Sequence, residues 1–145
     1  MKDLKSLYET DYALWLDRTI ADLKERKLDS IDVENLLEEV NSLAGRERRE
    51  LQSRLTTLLE HILKRRYLPM SECFRGWELT IKRSQIEIKK IIKASPSLKS
   101  YLIESLPECY QDALSLVETI YDHSFPEQYP FPIDPDRLLN DIFWE

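Results

Sequence analysis

Glycine is almost missing from this chain: Gly45 and Gly76 are the only two in 145 residues. Sandwiches and barrels turn tightly between short strands and need residues that tolerate positive φ, so the scarcity argues against both. It also excludes a glycine-rich phosphate loop, and with it nucleotide hydrolysis of the P-loop kind. Cysteine is as sparse. Cys73 and Cys109 have no C-x-x-C spacing and sit among apolar neighbours. They read as free thiols of a reducing compartment, which makes the cytoplasm the expected location. No run approaches the roughly 18 consecutive apolar residues of a membrane span. Met1-Lys2-Asp3-Leu4-Lys5 also lacks the apolar stretch of a signal peptide, so no membrane partner is expected. There is no G-x-S-x-G elbow, no cysteine flanked by activating sequence, no internal repeat and no low-complexity segment.

What is present is a globular mixture, 42% apolar and 33% charged, too hydrophobic for a disordered chain. A chain of this size buries about two-thirds of the surface its unfolded form exposes. One domain over residues 1–145 therefore needs neither a metal nor a disulfide to hold it. The net charge of −6 is unevenly spread: −4 over residues 1–60, +7 over 61–100 and −9 over 101–145. Such polarity suits an anionic partner for the middle, or mutual neutralisation of the middle and the end.

Apolar residues recur at helical spacing throughout, and period-two alternation is absent from every long segment. Thr10 or Asp11 caps a first helix carrying Tyr12, Trp15, Leu16, Ile20 and Leu23 through about Lys27. Asp32 caps a second, whose stripe runs Val33, Leu36, Leu37, Val40, Leu43, Ala44, Leu51, Leu55, Leu58, Leu59, Ile62 and Leu63 until Pro69 stops it. Glu47 and Arg48 interrupt that stripe just after Gly45, which reads as one continuous helix with a charged waist. A third helix spans about Phe74 to Ala94. Trp77, Ile81, Ser84, Ile88, Ile91 and Ile92 form its core face, and Arg75, Lys82, Lys89 and Lys93 line its back beside Leu79 and Ile86. Either the C-terminal tail covers those two apolar spots or a partner does. After Ser95-Pro96-Ser97 another apolar run continues to Ile120, and Pro107 inside it predicts a kink or two helices meeting at Leu106. Tyr121 to Pro132 reads as an aromatic, proline-rich loop. Asp134 and Pro135 then open a last short helix, with Leu138, Leu139, Ile142, Phe143 and Trp144 folding back onto the body. The expected architecture is all-α, a bundle of about five to six helices with one long central helix.

The candidate chemistry is thin. Di-iron bundles use Glu-x-x-His, and neither His61 nor His123 has a glutamate three residues earlier. Glu34 with Glu38, and Glu60 with His61, are the carboxylate and imidazole groups that remain, and no spacing among them is diagnostic of a metal site. No metal and no cofactor are expected. His61 reads as a partly buried histidine bonded to a carboxylate, and His123 as a cation closing a helix. Arg46, Arg48, Arg49, Lys64, Arg65 and Arg66, with the row on the third helix, offer a phosphate-binding surface. Against it stand a pI near 5.1 and the ready internal partners Glu104, Glu108, Asp112, Glu118 and Asp122.

Six strings in order resemble one family, the domain of unknown function 29. They are Tyr8-Glu9-Thr10-Asp11-Tyr12-Ala13-Leu14-Trp15, Asp32-Val33-Glu34-Asn35-Leu36-Leu37-Glu38-Glu39-Val40, His61-Ile62-Leu63-Lys64, Trp77-Glu78-Leu79-Thr80-Ile81, Ser95-Pro96-Ser97-Leu98 and Asp141-Ile142-Phe143. Arg65, where the family often has tryptophan, and Gly76, before the tryptophan of the third helix, depart from its pattern. The resemblance implies a small helical bacterial protein, largely cyanobacterial, and implies no activity, substrate or cofactor. It directs attention to the polar residues Asp11, Glu34, Glu38, Glu39 and His61, and to Trp77. Glu34 and Glu38 would lie about 35–40 Å from His61 along one straight helix at 1.5 Å per residue, so a shared site would need another helix or subunit.

The function expected from all this is a protein-interaction module that self-associates or binds another protein. One alternative is a nucleic-acid-binding or regulatory protein using Arg75, Lys82, Lys89, Lys93, Leu79 and Ile86. The other is an enzyme or metal-binding protein using His61, Glu34 and Glu38.

Overall fold

The computed structural model describes residues 3–145, and its ordered elements are helical throughout. Six α-helices follow in order: α1 (Leu4–Thr10), α2 (Tyr12–Lys24), α3 (Val33–Tyr67), α4 (Phe74–Ala94), α5 (Leu98–Ile120) and α6 (Pro135–Asn140), with short 3₁₀ turns at Leu28–Ser30 and Ser71–Cys73. The expected all-α class and the single long helix are present. Among the described residues no helix is long and apolar enough to cross a membrane. The chain forms two compact units, one ending at Arg46 and the other running Glu47–Glu145.

In the first unit, aspartates punctuate the chain. Asp3 caps α1 by accepting from the Ser6 N–H, and Asp11 both ends α1 and caps α2 by accepting from Leu14. The α1 helix was not expected from the sequence. Its only apolar signal is Leu4, Leu7 and Tyr8 within two turns, too short a window for periodicity to register. At its other end α2 stops at Lys24, three residues earlier than expected. Arg26 takes a left-handed φ of 58° there. Its N–H reaches the Leu23 carbonyl while Lys27 reaches Asp22, so the last carbonyls are satisfied in a Schellman arrangement with arginine where glycine is usual. Trp15 is the anchor of this unit, fully buried. Its indole N–H donates to Asp32 at 3.3 Å, and Asp32 also accepts from the Asn35 side chain at 2.6 Å.

In the second unit the core is continuous from Leu51 to Trp144. The later half of α3 contributes Leu51, Leu55, Leu58, Leu59, Ile62 and Leu63, all buried. Opposite lie Trp77, Ile81, Ser84, Ile88 and Ile91 of α4, the face expected for it, and Gln85, whose amide donates to the Leu138 carbonyl. Pro107 does not split the chain, because α5 runs through it from Leu98 to Ile120. Leu102, Leu106, Tyr110 and Ala113 are all buried on the inner side, while Ile103 and Pro107 face water. Core packing on the inner side carries the helix past its missing hydrogen bond. Asp134 caps α6 and Pro135 opens it, as expected. Leu138, Leu139 and Trp144 fold onto the core, but Ile142 is 66% exposed.

Candidate functional site

The apolar stripe of α3 divides at its charged waist. Beyond Glu47 every member is buried. Before it, Val33, Leu37, Val40 and Leu43 are 62%, 58%, 52% and 62% exposed. At about 100° per residue these four and Leu36 fall within one third of the helix circumference, the width of a face built for packing. Tyr12, Ile20 and Leu23 of α2 are exposed as well. Among the described residues of this unit, the only buried apolar ones are Leu7 and Trp15. Its side chains make an apolar surface that the unit itself does not cover.

Beside that surface, a carboxylate ties the three helices of the unit together. Glu39 accepts from the Tyr8 hydroxyl at 2.5 Å and from the Tyr12 hydroxyl at 2.7 Å. Tyr8, Tyr12 and Trp15 also pack ring against ring, with centroids 4.8–6.0 Å apart. The two phenols hold the Glu39 carboxyl below the usual glutamate range. The bond to Glu39 pushes Tyr8 up to about 12 and Tyr12 upward too. All three members stand in strings that the sequence offers, yet their meeting depends on tertiary geometry. A glutamate reads alike whether it faces water or two phenols.

The expected catalytic candidates are occupied elsewhere or solvated. Glu34 pairs with Lys5 at 3.2 Å, and Glu38 is exposed. His61 is half-buried, but its partner is a main-chain carbonyl rather than the expected carboxylate: Nδ1 lies 2.8 Å from the Thr57 oxygen. Because a carbonyl only accepts, Nδ1 carries the proton. Burial lowers the pKa of this imidazole below the ordinary histidine range. His123 lies in the loop after α5 and packs edge-on to Phe125 rather than closing the helix. Among the described residues no three His, Cys, Asp or Glu side chains gather closely enough to hold a metal.

The basic residues part company. Lys64 is buried against Glu60 and lies over the Trp77 ring. Arg65 pairs with Glu78 at 2.8 Å and covers the Phe74 ring, and Arg66 donates to the Phe143 carbonyl. These three are spent on the fold. Their partners are not the α5 carboxylates expected from the sequence, because α5 turns Glu104, Glu108, Asp112 and Glu118 outward. On α4 the expected row does form, with Arg75, Lys82 and Lys93 exposed and Leu79 and Ile86 open between them, 57% and 39% exposed. The C-terminal tail leaves both apolar spots uncovered. Lys89 is half-buried and donates to Asn140.

Residues 7–144 match the model of the family described as domain of unknown function DUF29. The chain belongs to that family. No curated protein and no solved structure matches it. In this DUF29 domain the strings that carried the resemblance hold braces more than chemistry. Asp11 caps, Asp32 receives the Trp15 indole, and Glu39 receives two phenols. Trp77 is core, and the Ser95 hydroxyl donates to Glu47 at 2.9 Å. What the DUF29 chain leaves unbraced is the outward stripe of α3.

Proposed function

We propose that this DUF29 protein is a helical interaction module that self-associates through the outward stripe of α3. One observation carries the reading: Val33, Leu37, Val40 and Leu43 share a face and are each more than half exposed. Covering a large aliphatic side chain completely is worth about 1.5–3 kcal/mol. Four half-open ones supply enough to offset part of the entropy of association.

A second copy is the partner this face favours, because the stripe of Val33, Leu37, Val40 and Leu43 is apolar along its length and the same stripe on another copy is its complement. Two copies laid antiparallel also oppose their helix dipoles, which favours that direction.

Sedimentation velocity from about 1 to 100 µM, a span that brackets modest affinities, tests this. The wild-type chain shifts from monomer to dimer with concentration. Leu37→Glu, placed on an already exposed site, weakens the dimer at least roughly ten-fold while helicity stays the same. A wild-type chain that stays monomeric across that range, or a Leu37→Glu variant that dimerises equally well, overturns the reading.

A further inference from the structure

We propose that the cleft beside Pro107 is a binding site for an apolar amine, a small molecule with an aromatic or branched aliphatic body and one cationic nitrogen. The inference is independent of self-association. The cleft encloses about 380 Å³ between α5 and the loop that follows it, a volume in the range of small-molecule sites. Leu106 and Tyr110 are its buried floor, and Ile103, Tyr129 and Ile133 line it. Ile103 and Ile133 are 40% and 63% exposed, and an apolar body seated here gives them the cover they lack.

The cleft is preformed. The Tyr110 hydroxyl donates to the Pro126 carbonyl at 2.5 Å and the Tyr129 hydroxyl to Pro132 at 2.6 Å. The rings of Tyr110, Tyr129 and Phe131 meet edge to face around those bonds. Both phenols are therefore already committed as donors. Acceptors remain. Glu127 is an exposed lining residue whose carboxylate is within side-chain reach of the cleft. The Ile103 carbonyl lacks its usual donor four residues on, because Pro107 has no N–H, and both residues line the cleft. Gln111 and Gln128 bring amides of either polarity. Among the described residues Glu127 is the only charged one lining the cleft, and residues 101–145 carry a net −9. A cation is drawn in, and a carboxylate or phosphate is repelled.

Titration of the full chain, followed by the methyl resonances of Ile103 and Ile133, decides the matter with three probes of similar body. Phenethylamine is expected to shift both methyls and to bind roughly ten-fold tighter than phenethyl alcohol, the margin of a charged hydrogen bond. Hydrocinnamate is expected to bind more weakly than either. Glu127→Gln, at an exposed position, brings the amine down to the alcohol's affinity. The proposal is overturned if phenethylamine at millimolar concentration leaves both methyls unmoved, or if hydrocinnamate matches the amine. It is equally overturned if Glu127→Gln keeps the amine's full advantage.

Discussion

Glu39, held by two phenols, works as a brace only while it is charged and they are not. Its carboxyl is lowered by the hydrogen bond from Tyr8 first and from Tyr12 second. The stabilisation it brings is therefore complete above the ordinary glutamate pKa of about 4.3, and is lost as pH falls through the lowered value in the folded chain. Tyr8 runs the other way. Its phenol is raised to about 12, chiefly by the bond to Glu39. That contribution is complete below the ordinary tyrosine pKa of about 10 and is lost as pH rises through about 12. The brace holds across the whole neutral range and releases at both extremes. Glu39→Gln removes the charge that holds the Tyr8 proton, so Tyr8 should ionise nearer to the ordinary tyrosine range. Titration of its ring carbon shift would show this, and an unchanged midpoint would mean that something other than Glu39 raises the phenol.

At the scale of elements, α5 carries a proline where helices seldom keep one. Packing of Leu102, Leu106, Tyr110 and Ala113 into the core outweighs the missing bond, so the helix persists. Pro107→Ala restores an N–H for the Ile103 carbonyl and should raise stability by about 1–3 kcal/mol. Urea denaturation measures it, and a loss of stability would show that the proline ring is needed where it sits. This element also marks where sequence reading stops. A proline inside an apolar helical run predicts either a kink or two separate helices from local chemistry alone, and the tertiary burial of its neighbours decides against the two separate helices. The short α1 fell below the length at which periodicity speaks. By contrast, α4 could be read to its ends, because twenty-one residues with a strong apolar face leave little room for another register.

The whole molecule distributes its burial unequally between two units. The unit ending at Arg46 buries Leu7 and Trp15 as its apolar core, whereas one cluster extends from Leu51 to Trp144 in the other. Amide hydrogens of α2 should therefore exchange at least roughly a hundred-fold faster than the inner amides of α4 and α5 when the protein is dilute. Exchange mapped by mass spectrometry gives the comparison. Equal protection in α2 and α4 would mean that the smaller unit draws stability from something besides its own core. The candidate stripe itself was legible as a list of residues but not as a surface. Val33 to Leu63 reads as one phase of apolar residues, and the spacing is the same where neighbours cover it and where they do not. Periodicity says which side of a helix is apolar, and only the rest of the fold says whether that side is occupied.

The loop after α5 shows what a proline-rich turn demands of its surroundings. Pro126, Pro130 and Pro132 each bring a carbonyl and no N–H, so the segment is short of donors. Tyr110 and Tyr129 make up the deficit from their side chains, donating to Pro126 and Pro132. In hydrogen-bonding terms these two phenols stand in for the missing main-chain amides. Phenylalanine, nearly the same shape, is no synonym for tyrosine at either position.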